Sequence, residues 1–279
     1  FAVGSGTVHD VSRYLAGECG IPFVSIPTAA SVDGFVSTVA AMTWNGLKIT
    51  FPAVAPIAVL ADTSVFAAAP YRLTASGISD LMGKYTALAD WKVSHLVTGE
   101  YFCEQICGLE YRAVEAVREC LPDIKDGKPE ACEKLMYALL LSGLAMQMAG
   151  NSRPASGAEH HVSHLWEMEV INPHTDAYHG EKVSAGLIMC LKEYERMKDA
   201  IQSGHCGVKG YAGPELELLR STFGEKGLLD GILKENTPDP LLEVDADRLK
   251  RVLPEIAGIW AELPSSQEVK HMLTKAGCV

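Results

Sequence analysis

The 279-residue sequence predicts an α/β unit of Rossmann-like pattern followed by an all-α domain, and three observations lead there. Short apolar runs at Phe1–Val3, Pro22–Ile26, Lys48–Thr50 and Ala55–Asp62 alternate with glycine-rich or polar turns, as strands of βαβ material do. Near Ala68-Ala69-Pro70 the character changes. Beyond it the apolar spacing is helical over 76–95, 98–120, 129–149, 158–168 and 180–200. Breaks at Gly204–Gly213 and Glu235–Pro240 separate shorter helices toward the C-terminus. The expected units are 1–66 and 67–279.

Taken in order, the first run feeds the turn Gly4-Ser5-Gly6-Thr7, and Val8 to Ala16 then has a helical pattern. Such a turn can offer backbone N–H groups to a pyrophosphate at a helix start, although the same residues also make plain loops. Ser76-Gly77-Ile78-Ser79 leads into the next pattern and places Asp80 near the expected helix N-terminus, where it serves as a cap or as a ligand. The run Leu135–Gln147 is the most apolar, but it is shorter than the ~20 residues of a membrane span and reads as a buried helix.

The densest chemistry follows the breaker-rich loop Arg153-Pro154-Ala155-Ser156-Gly157. His160 and His164 stand four apart on an amphipathic helix and so share one face, while His161 points about 100° away. His179 precedes Gly180-Glu181-Lys182 at the start of a long helix and approaches from a second element. Two or three imidazoles from two elements, completed by one carboxylate, make a divalent-metal site with open positions. Glu159 and Glu181 either orient imidazoles from behind or are solvated residues of helix starts.

Composition excludes several classes. Apolar residues at 48% and charged residues at 21% describe a folded globular chain. A net charge of −11 disfavours a nucleic-acid partner but admits a small phosphorylated metabolite held by a local donor cluster. Eight cysteines without paired CxxC spacing read as free thiols, which suits the cytoplasm, and no secretory signal is visible.

Asp80, His160 after the Arg-Pro-Ala-Ser-Gly loop, and His179-Gly180-Glu181 resemble the metal ligands of the iron-containing alcohol dehydrogenase and dehydroquinate synthase-like superfamily. Ile26-Pro-Thr28-Ala-Ala-Ser31-Val-Asp33-Gly34-Phe-Val-Ser37 and Gly4-Ser5-Gly6-Thr7-Val-His-Asp10 resemble its nicotinamide-contacting loop and pyrophosphate turn. The motifs run in order from residue 1 to about 190, and within the superfamily they look most like the sn-glycerol-1-phosphate dehydrogenase family. The resemblance implies a dehydroquinate synthase-like fold in which Asp80, His160 and His179 are catalytic metal ligands. It assigns Gly4, Ser5, Gly6, Thr7, Asp10, Thr28, Ser31 and Ser37 to NAD(P)H, and Asp33, Asp80 and His164 to the substrate.

It further implies interconversion of dihydroxyacetone phosphate and sn-glycerol 1-phosphate, a step of phospholipid metabolism, in a homo-oligomer carrying one divalent metal. Zinc is the first choice, with nickel or iron as alternatives. Proteins of that family carry an α/β segment ahead of the pyrophosphate turn, so this chain is expected to hold only the C-terminal part of the dinucleotide domain. A glycerol or other polyol dehydrogenase of the same superfamily, or a non-catalytic metal-binding helical fragment, are the competing expectations. Arg153 is a candidate for the phosphate, or else an ordinary loop residue.

Overall fold

The computed structural model describes residues 1–279 and has the expected fold class, a small parallel sheet followed by many helices. Strands β1 (Ala2–Gly4), β2 (Val24–Pro27) and β5 (Ala58–Val59) form a parallel sheet in the order β1-β2-β5, with Ala2 opposite Ser25 and Val24 opposite Ala58. Helix α1 (Gly6–Cys19) follows β1 directly, so the carboxyl ends of β1 and β2 open onto the start of α1 and the loop 28–37. Parallel sheets bind ligands at that end.

One segment departs from the βαβ reading. Lys48–Thr50 belongs to an antiparallel hairpin of β3 (Val39–Trp44) and β4 (Leu47–Pro52), paired from Val39–Pro52 to Trp44–Leu47. The two-residue turn is Asn45-Gly46, both with positive φ (50° and 84°), the pair that closes tight hairpins.

The remainder is helical. Helices α2 (Thr63–Phe66), α3 (Tyr71–Met82), α4 (Lys84–Thr98), α5 (Glu104–Glu119), α6 (Leu121–Lys125) and α7 (Pro129–Ala149) are followed by α8 (Ala158–Glu167) and α9 (His179–Gln202). Four more, α10 (Leu216–Phe223), α11 (Leu229–Glu235), α12 (Ala246–Ala261) and α13 (Ser266–Ala276), finish the chain. Helix α7 packs against α5 and buries Leu135, Met136, Leu139 and Ala145, which accounts for the apolar run there. No helix is long and apolar enough to cross a membrane.

The expectation that Asp80 lies at a helix N-terminus is corrected. Helix α3 starts at Tyr71, just after Pro70, and Asp80 sits in its last turn, with Gly83 separating α3 from α4. Gly77 marks close packing instead of a helix start: a Cβ there would lie 2.0 Å from the carbonyl oxygen of Ala30, so glycine lets α3 pass against the loop after β2.

Candidate functional site

Helices α3, α8 and α9 meet where Gly180 touches the backbone of α3. A Cβ on Gly180 would lie 1.9 Å from the Ser76 carbonyl oxygen, and the Gly180 N–H donates to Ser76 Oγ at 3.1 Å. This contact brings His179, the first residue of α9, over the last turn of α3. Tyr178 caps the helix, and the Glu181 carboxylate accepts from the Tyr178 N–H at 2.7 Å.

Asp80 is fully buried, and its two oxygens have separate tasks. Oδ2 accepts the backbone N–H of Asp33 at 2.9 Å, which ties α3 to the loop after β2. Oδ1 lies 3.1 Å from His160 Nε2 and 4.0 Å from His179 Nε2. Both rings are held from behind by carboxylates at Nδ1, Glu159 Oε1 for His160 and Glu167 Oε1 for His179, each at 2.7 Å. Carboxylates at Nδ1 fix the tautomer that leaves Nε2 as the electron-pair donor, and carboxylate–histidine pairs of this kind accompany metal-binding imidazoles. One oxygen and two imidazole nitrogens, all within 4.8 Å of one another, fit a divalent cation.

The electrostatics follow from burial and from the close charges. Burial pushes the Asp80 carboxyl up, but Lys84 and then His160 and His179 overcome it and hold it well below the usual range. Burial lowers His160, yet the bonds to Asp80 and Glu159 raise it to about 9. Binding a divalent cation there would require the His160 proton to leave. His164, between the two other rings with centroids 6.1 and 5.8 Å away, is pushed well down by burial and then by His160 and His179. It stays neutral and able to accept a hydrogen bond.

Lys84 underlies the whole arrangement. Its Nζ is fully buried, 2.6 Å from Asp33 Oδ2, 2.9 Å from the Ala155 carbonyl and 3.2 Å from the Asp80 carbonyl. Burial pulls the ammonium down, but Asp33, Asp80 and Glu110 more than offset it and keep the ion charged. Ser142 Oγ also donates to Asp33 Oδ2, at 3.0 Å.

A cavity of about 380 Å³ joins this cluster to the sheet. Of the residues expected to bind, Asp80, His160, His164 and His179 line it on the helical side, and Gly6, Thr7, Asp10, Asp33 and Ser37 on the other. Gly4, Ser5, Thr28 and Ser31 do not line it: Gly4 ends β1, Ser5 caps α1, the Thr28 N–H bonds the Gly4 carbonyl, and Ser31 is buried under α3. Burial raises Asp10 to about 6 although Arg13 opposes it. His161 is exposed and outside the cavity. Glu181 bonds Arg72 at 2.7 Å instead of an imidazole, and Arg153 pairs with Glu100 at 3.1 Å away from the cavity.

Glu167, Lys84 and Lys48 escape a reading by motif. Glu167 had a signal, since positions 160, 164 and 167 repeat on one helix face, and Lys84 stands four residues after Asp80. Lys48 had none, because only the placement of the hairpin brings it to the cavity.

Known proteins resemble this chain in sequence and in fold. Residues 1–70 match the family model described as iron-containing alcohol dehydrogenase. Glycerol-1-phosphate dehydrogenase of Geobacillus thermodenitrificans, an NAD(P)+ enzyme by name, is 36% identical over 277 residues, covering 99% of this chain and 61% of that protein. The enzyme so named from Pyrococcus furiosus is 42% identical over 205 residues, 72% of this chain and 58% of the relative. The chain thus spans about three fifths of the length of these curated relatives. Among solved structures, a probable glycerol dehydrogenase from Sinorhizobium meliloti superposes with a TM-score of 0.61 at 19% identity, over 94% of this chain and 77% of that one. Glycerol dehydrogenase from Schizosaccharomyces pombe gives 0.60 at 21%, over 94% and 70%. At these identities the structures speak for the fold alone. Residues 1–70 are thus similar to the iron-containing alcohol dehydrogenase family, nearly the whole chain is similar to a relative named glycerol-1-phosphate dehydrogenase, and its fold is that of the solved glycerol dehydrogenases.

Proposed function

We propose that the chain carries the metal and substrate site of an NAD(P)H-dependent oxidoreductase that interconverts dihydroxyacetone phosphate and sn-glycerol 1-phosphate. One observation carries the reading: Asp80 Oδ1, His160 Nε2 and His179 Nε2 converge on the same cavity that Gly6 and Thr7 line at the start of α1. A buried cation site and a helix N-terminus suited to a pyrophosphate therefore share one space. The relatives similar along this chain carry the corresponding name.

In this reading Asp80, His160 and His179 hold one divalent ion, with zinc as the proposed metal. When bound, that ion polarises a ketone oxygen and the nicotinamide supplies hydride. The chain's own residues do the rest. Glu159 and Glu167 keep both imidazoles turned to the cavity through Nδ1. Asp33 is anchored through Oδ2 by Lys84 and Ser142, which leaves Oδ1 to take a substrate hydroxyl. His164 accepts a second substrate hydroxyl from the opposite wall. Gly6, Thr7, Asp10 and Ser37 would line the cofactor, joined at the strand ends by Gly4, Ser5, Thr28 and Ser31. Residues 1–66 then form the dinucleotide unit and 67–279 the metal and substrate unit, in a cytoplasmic homo-oligomer.

The test is an NADH and NADPH oxidation assay of the complete enzyme on dihydroxyacetone phosphate and on dihydroxyacetone. The reading expects kcat/KM at least 100-fold higher on the phosphorylated ketone. Equal activity on the two would replace it with a polyol dehydrogenase.

A further inference from the structure

A dianionic substrate poses a problem for this cavity. Asp10, Asp33, Asp80 and Glu167 all line it, in a chain of net charge −11, so phosphate needs a cation placed for it. The start of α1 cannot serve if the cofactor occupies it. Arg153 is spent on Glu100, and Arg72 on Glu181 and Asp176, all outside the cavity. Lys84 is buried with acceptors on Asp33, Asp80 and Ala155 for its three N–H groups. Among the lining residues one lysine remains, and there is no arginine.

We infer that Lys48, carried over the cavity by the β3–β4 hairpin, recognises the phosphate group of the substrate. Its side chain is 13% exposed and its sole ion-pair partner is Glu167 Oε2 at 2.7 Å. An ammonium has three donors, so two remain for a ligand. Glu167 also accepts His179 Nδ1 at 2.7 Å, which sets Lys48 one carboxylate and one imidazole away from the metal donors. Lys48 and those donors line the same cavity, so one substrate can reach both. Lys48 lines the same cavity as Asp10 on the sheet wall and His164 on the helical wall. Lysine suits this task as a compact charge against phosphate.

The inference rests on the functional reading above, and its test separates the two. On the complete metal-loaded enzyme, kcat/KM is compared for dihydroxyacetone phosphate and dihydroxyacetone in wild type, Lys48→Met, Lys48→Gln and Lys48→Arg, with bound metal measured alongside. Lys48→Met and Lys48→Gln are expected to lose about 100-fold or more on the phosphorylated ketone and less than tenfold on the other, with metal retained. Lys48→Arg should recover most of the loss. Inorganic phosphate should inhibit the wild type competitively and both uncharged variants at least tenfold more weakly. Equal losses on both ketones, or loss of metal, would show that Lys48 only props Glu167 and His179, and would overturn the inference while leaving the reaction standing. A wild type that does not distinguish the two ketones would remove the functional reading and this assignment together.

Discussion

On the helical side of the cavity Asp80, Lys84 and Glu159 are fully buried and His160 is 6% exposed, whereas on the sheet side Thr7 is open to solvent and Val3, Val8, Val11 and Leu15 stand exposed around it. Behind the first wall lies a core of 26 buried apolar residues. Behind the second, Ala2, Ala16 and Phe23 form a cluster of three. The two walls are therefore suited to different kinds of ligand. Metal donors must keep distances to a fraction of an ångström, and the proposed donors stand on helices locked by buried ion pairs and hydrogen bonds. A dinucleotide can be held by backbone N–H groups of a turn, which needs little side-chain machinery behind it. Substitutions in the helical wall should accordingly damage fold and site together, and those in the sheet wall should touch one ligand.

The largest effect is expected at Lys84. Lys84→Met removes a buried cation but leaves the Asp33 carboxylate in place, and breaking a buried pair in this way costs about 3–5 kcal/mol. Urea denaturation should show that loss, together with a fall in activity. A variant within 1 kcal/mol of wild type would mean that Lys84 does not unite the two walls.

On the sheet side, Thr7→Ala should raise KM for the nicotinamide cofactor by roughly 3- to 30-fold, the range of a single ligand hydrogen bond. Metal content and melting temperature should not move. If metal were lost, the division between the walls would be wrong.

The smallest effect concerns Asp10. Its pKa in the folded chain, about 6, is above the ordinary 3.8, so the native state binds the extra proton between these values. Its stabilising contribution is complete below about pH 4 and is lost as pH rises through 6. Asp10→Asn, which resembles the protonated acid, should flatten the pH dependence of stability in that window. An unchanged slope between pH 4 and 6 would place the titrating group elsewhere.

The helical wall was the more legible of the two in the sequence. The His160–His164 spacing and the helix start at His179 are local, and helices α8 and α9 present them as spacing requires. The Asp80 environment was misjudged because glycine has two uses. Gly77 reads as a helix lead-in but serves a close approach to Ala30, and α3 had already begun at Tyr71. On the sheet side, the Asn45-Gly46 pair announced a hairpin that a βαβ reading passed over, and with it the position of Lys48. Arg153 looked suitable for phosphate by its nearness in sequence to His160, yet chain proximity says nothing about which way a loop side chain turns, and here it meets Glu100.

The central claim is that Asp80, His160 and His179 hold one divalent ion, and metal content tests it most directly. Elemental analysis of the protein purified without chelator, beside His160→Ala and His179→Ala with helical content checked by circular dichroism, should give close to one zinc per wild-type chain and less than a tenth of that in either variant. Stoichiometric metal retained by a correctly folded His160→Ala or His179→Ala variant would contradict the account.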